Sequence, residues 1–142
     1  ADVLGGRVED MGEYEIGYRT VEHNGDNRLL AGIDESMTVF TTHSDRVAEP
    51  PPGATVFAKN DYGIHGFRKG DVFGVQFHPE YDIQTAETVA KSKKGDISQE
   101  RIDTVLRGVN EENYREASDA KRLFDNFLGY TEGGQPTRVA AD

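Results

Sequence analysis

Gly74-Val75-Gln76-Phe77-His78-Pro79-Glu80 decides how this chain is read: an apolar strand stops at a histidine and a carboxylate two residues apart. Side chains at i and i+2 of an extended segment point to the same side, so His78 and Glu80 are expected together at the strand's end. Pro79 has no N–H to give to a ladder, which stops the pairing there. A carboxylate so placed holds an imidazole in one tautomer and supports its protonated form, as a general base requires.

Upstream, the pattern is that of strands. Glu13-Tyr14-Glu15-Ile16-Gly17-Tyr18-Arg19-Thr20-Val21 alternates and is rich in aromatic and β-branched residues, which predicts a strand. Asn24-Gly25-Asp26 predicts a turn, and Met37 to His43 the next strand. Glu49-Pro50-Pro51-Pro52-Gly53 is a rigid loop before a strand over 54–58. Strands over 64–68 and 72–77 follow, joined by the turn Lys69-Gly70-Asp71. Residues 1–4 read as the end of a helix closed by Gly5-Gly6.

Downstream of Glu80 the period changes to helical. Asp82 caps a first helix whose end carries Lys91, Lys93 and Lys94 before Gly95, cations suited to a helix C-terminus. Ile102, Val105, Leu106 and Val109 mark the apolar stripe of a second. From Asn110 a third, continuous helix is predicted, with Ala117, Ala120, Leu123, Phe124, Phe127 and Leu128 on one face. Residues 131–142 read as a frayed tail.

Three motifs now stand in order, and together they resemble the class I glutamine amidotransferases. Val72 to Glu80 is similar to that family's His/Glu segment. Thr42-His43-Ser44-Asp45-Arg46-Val47 with Pro51-Pro52-Gly53 resembles its His-x-Asp-x-Val…Pro-x-Gly stretch. Ala1-Asp2-Val3-Leu4-Gly5-Gly6-Arg7-Val8 resembles the Ala-x-x-Leu-Gly-Gly-x-Val that follows the nucleophile helix. The match covers roughly residues 1–82, with an echo at Leu123 to Leu128. Residues 83–120 are similar instead to the longer tail of stand-alone GMP-synthetase-like relatives.

The resemblance implies an α/β fold, an open mixed or parallel sheet with flanking helices, incomplete here: residues 1–130 would be the C-terminal part of one domain. It implies a glutaminase whose His78 is the base and Glu80 its orienter, with the nucleophile cysteine upstream, since the chain has no cysteine. His43, Ser44 and Asp45 would lie near bound glutamine; an Asx or Ser turn that merely shapes the loop explains them equally. Glu15 to Tyr18 corresponds to a cleft-lining stretch, though a half-buried edge strand accounts for it better. His65 reads as structural or partner-facing. The implied partners are glutamine and the missing half of the domain, an ammonia-accepting domain or subunit, or a second copy. A γ-glutamyl hydrolase and a catalytically silent binding module are the competing readings.

Composition limits the rest. A net charge of −10, from 26 acidic and 16 basic residues, disfavours nucleic acid and anionic membranes as partners. The acid surplus is spread along the chain and suits a surface kept soluble at high salt, as in a halophilic source. Without cysteine there is no disulfide or thiolate metal site. The four histidines show no His-x-x-x-His spacing, so no metal site is expected, and no cofactor is assigned. With no signal segment and no apolar run of membrane length, the cytoplasm is the expected compartment.

Overall fold

The computed structural model describes residues 1–25 and 28–133. Five strands form one sheet: β1 (Arg7–His23), β2 (Ser36–Glu49), β3 (Thr55–Asn60), β4 (Gly63–Lys69) and β5 (Val72–Val75), in the order β2-β1-β3-β4-β5. Every pairing between these five strands is antiparallel. For β3–β4 and β4–β5 the cause is connection length. Asp61-Tyr62 and Gly70-Asp71 are two-residue links, which can join only antiparallel neighbours. The α/β class stands, with the helices packed on a curled antiparallel sheet.

Two strands are much longer than the sequence predicts. β1 and β2 pair from Glu22↔Ser36 down to Arg7↔Glu49, with a register shift between Asp10 and Glu15 that leaves Met11 to Tyr14 unpaired. Beyond that shift the ladder resumes at Asp10↔Asp45 and Glu9↔Arg46. There Arg46 grips the Glu9 carboxylate through Nε and an NH2 group at 2.9 and 2.7 Å. His43-Ser44-Asp45 is therefore strand, not loop. β1 is also a central strand and not an edge, since β3 pairs with it through Glu22↔Lys59 and His23↔Ala58.

Aromatic rings cover glycines on β4 and β5. A Cβ on Gly66 would lie 2.4 Å from Phe57, and one on Gly74 would lie 2.6 Å from Phe67, so both positions require glycine for close approach. At the N-terminus a 3-10 turn over Asp2–Leu4 closes at Gly5, whose φ of 91° suits the left-handed closing position.

The helices are α1 (Ile83–Ser92), α2 (Gln99–Gly108), α3 (Glu111–Ser118) and α4 (Arg122–Gly133). Asp82, Ser98 and Asn110 cap the first three, accepting from the N–H groups of Thr85, Arg101 and Asn113 at 2.7, 3.2 and 2.9 Å. The predicted third helix is broken by a 3-10 turn at Asp119–Lys121. The break buries Ala120 and Leu123 with Val39, Phe57 and Phe77 but leaves Phe124, Phe127 and Leu128 exposed. A second core cluster joins Ile16 and Phe40 to Ala86 and Ala90 of α1 and Val105 of α2. The predicted tail lies beyond the described residues except for 131–133, which are helical, and Asp26 of the predicted turn is likewise outside them. No helix among the described residues is long and apolar enough to cross a membrane.

Candidate functional site

His78 reaches its position by leaving the ladder. β5 ends at Val75, two residues earlier than predicted, and the next residues bridge two strands. The Gln76 N–H donates to the His65 carbonyl on β4 at 2.9 Å, and the His78 N–H to the Phe40 carbonyl on β2 at 2.8 Å. Phe77, buried between them, anchors the crossing. A turn at Pro79-Glu80 then brings the Glu80 carboxylate to the ring's Nδ1.

The His78 Nδ1 and Glu80 Oε1 atoms are 2.8 Å apart. An ionised carboxylate only accepts, so Nδ1 carries the proton and the lone pair of the neutral ring lies on Nε2. Nε2 makes no hydrogen bond among the described residues. The Tyr81 ring stacks on the imidazole, 4.4 Å between centroids and 12° between planes, and itself packs against Phe40. Burial, helped by the Glu80 charge, holds the Tyr81 phenol above its ordinary range, so it stays neutral beside the imidazole. Tyr81 belongs to the site but was missed in the sequence, where a lone tyrosine after the motif carries no signal. His78 and Glu80 remain 32% and 52% exposed, so solvent and a substrate can reach them.

Exposure separates His78 from the other three histidines, which are built into the protein. His23 Nε2 lies 3.0 and 2.8 Å from the carbonyls of Ile33 and Asp34. His43 uses both ring nitrogens: Nδ1 donates to the Asp45 carbonyl at 2.6 Å, and Nε2 meets Glu15 Oε1 at 2.7 Å. His65 Nε2 meets the same oxygen at 2.8 Å, and its ring is fully buried. Asn60 donates to the other carboxylate oxygen at 2.5 Å. Glu15 is thus a buried carboxylate with donors from three other strands.

Burial alone would raise the Glu15 pKa, but hydrogen bonds from His43 and His65, the His65 charge and the Asn60 amide outweigh it and lower the value to about 2 from an ordinary 4.5. A carboxyl whose pKa is lower folded than unfolded stabilises the fold above its unfolded pKa and loses that contribution as pH falls through the folded value. Stability should therefore drop between about pH 4.5 and 2, by on the order of 3 kcal/mol from this group. Denaturant midpoints measured across that range, with and without Glu15→Gln, check this: the variant should lose that part of the slope.

The sequence-predicted residues therefore separate. His78 and Glu80 meet. His43 faces inward to Glu15, while Ser44 and Asp45 border two different surface depressions, on either face of β2. No hydrogen bond or ring contact links His43, Ser44 or Asp45 to His78 among the described residues. The donor atoms of Glu15, His43 and His65 lie within 4.8 Å of one another, a spacing that can surround a metal ion. Local sequence spacing could not reveal this group, because its members come from three strands.

The chain matches the family described as glutamine amidotransferase class-I over residues 1–94. It is 41% identical over 81 residues to a GMP synthase [glutamine-hydrolyzing] of Staphylococcus aureus, a match covering 55% of this chain and 16% of that protein. Among solved structures, a glutamine amidotransferase from Thermotoga maritima superposes with a TM-score of 0.70 at 27% identity, covering 89% of this chain and 55% of the other. A glutamine amidotransferase from Methylobacillus flagellatus gives 0.72 at 17% identity, covering 91% and 57%, and shows the shared fold alone. The chain thus spans about half the length of these solved structures.

Proposed function

The chain belongs to the class-I glutamine amidotransferase family, and from that premise we propose that it carries the base and orienter of a glutaminase site, with His78 as base and Glu80 as orienter. The observation that supports this most is the 2.8 Å contact between Nδ1 and Glu80, which leaves Nε2 without a hydrogen-bond partner among the described residues, on a histidine whose side chain is 32% exposed.

In this reading a cysteine supplied by sequence outside this chain is the nucleophile, since the 142 residues contain none. Nε2 takes the thiol proton, and the thiolate attacks the glutamine side-chain amide carbon. The C–N bond breaks as the imidazolium returns its proton to the departing ammonia, leaving a glutamyl thioester. Water, deprotonated by the same nitrogen, then cleaves the thioester to glutamate and restores the thiol. Glu80 stabilises the imidazolium in both halves. The ammonia passes to an acceptor domain or subunit, consistent with the GMP-synthase likeness and with the span of about half of the solved relatives.

The absence of cysteine keeps one competitor in view, a binding module that retains the scaffold without chemistry. Ammonia release from free glutamine and from γ-glutamyl peptides separates the cases. The complete protein should release ammonia from free glutamine, and residues 1–142 alone should release none. A strong preference for γ-glutamyl peptides would make the protein a hydrolase of those substrates, and a complete protein inert to both would make it the module.

A further inference from the structure

Glu15, His43, Asn60 and His65 come from β1, β2, β3 and β4, one residue from each of four strands. Their polar groups converge on a single carboxylate, with Glu15 and His65 fully buried and Asn60 half-buried beside an open cleft of about 550 Å³. An ionised carboxylate out of water costs several kcal/mol unless each oxygen is met by a donor. Here every donor sits on a different strand, so the carboxylate is satisfied only when the strands hold one spacing.

Two contacts carry that spacing to the candidate base. The His65 carbonyl accepts from Gln76 N–H at 2.9 Å, and the His65 ring stacks on Phe77 at 6.4 Å and 16°; these are the two residues before His78. On the other side, the Phe40 carbonyl that holds His78 N–H lies three residues from His43 on the same strand. Both backbone anchors of the His78 segment therefore lie on strands tied together through Glu15.

We propose that Glu15 is a positioning residue for His78: its buried charge fixes the spacing of β2 and β4, and hence where the imidazole meets the scissile amide. The proposal rests on the reading of His78 as a base. A displacement of about 1 Å in such a group costs roughly a hundredfold in rate, so the charge acts on turnover and not on glutamine affinity.

The test is steady-state glutaminase kinetics on the complete protein, expressed per folded molecule. Glu15→Gln keeps the volume and one acceptor but removes the charge; kcat should fall about ten- to hundredfold, with KM within about threefold of wild type. Asn60→Ala removes one donor on the half-buried side and leaves the charge, so it should stay folded with a smaller kcat loss of about three- to tenfold and unchanged KM. An inactive wild type overturns the reading of His78, and this proposal with it. An active wild type whose two variants keep kcat within about twofold per folded molecule, or lose efficiency through KM alone, overturns this proposal only. Zinc chloride added to chelator-treated wild type should leave the melting temperature unchanged. A rise in melting temperature that Glu15→Gln abolishes would make the cluster a metal site and end the positioning reading.

Discussion

Replacing His78, the proposed base, by alanine should lower the glutaminase kcat proposed for the complete protein about a thousandfold, within the range for loss of a positioned acid–base group. Without Nε2 the thiol stays mostly protonated at neutral pH, and the departing nitrogen has no proton donor. Nothing nearby replaces it, because His23, His43 and His65 are held by internal hydrogen bonds. Glu80→Gln should cost less, about ten- to hundredfold, the equivalent of one charge-assisted hydrogen bond. The Glu80 side chain is 52% exposed and makes no other hydrogen bond among the described residues, so a glutamine amide there can rotate its oxygen toward Nδ1–H and keep the tautomer. Ammonia release measured for the three proteins side by side decides the matter. A His78→Ala protein within about tenfold of wild type would remove the histidine from the mechanism.

The second large effect is on stability. Glu15→Ala leaves the two histidine nitrogens and the Asn60 amide without the carboxylate they share. Removing one partner of a buried ionic cluster costs about 3–5 kcal/mol, which for a domain of this size lowers the melting temperature on the order of 10–20 °C. Most of the loss should persist at neutral pH and shrink toward about pH 2, where the wild-type carboxyl is itself becoming protonated. Thermal melts of both proteins at pH 7 and pH 3 measure this. A deficit equal at the two values would show that the carboxylate's charge contributes nothing.

What could be read in advance depended on how far apart the interacting groups lie in sequence. The cap at Asp82 and the pair His78–Glu80 span two or three residues, and their geometry follows from the local backbone. The length of β2 did not follow in the same way. Ser44 and Asp45 resemble a turn, and only the matching length of β1, with Arg46 gripping Glu9, keeps them extended. The break in the third predicted helix has a similar origin. Ala120 and Leu123 do find the core as the apolar stripe predicts, but Phe124 and Leu128, beyond the 3-10 turn, do not.

The sequence by itself determined the family, the meeting of His78 with Glu80, and the order of strands followed by helices, because each of these is written in contiguous residues. The tertiary structure alone decided the antiparallel order β2-β1-β3-β4-β5, the stacking of Tyr81 on His78 and the convergence on Glu15. Glu15 meets partners 28, 45 and 50 residues away. Whether such groups touch depends on strand register, and a slip of one residue turns every side chain to the other face. The residues beside Glu15 do not encode that register; packing of the whole sheet against its helices does.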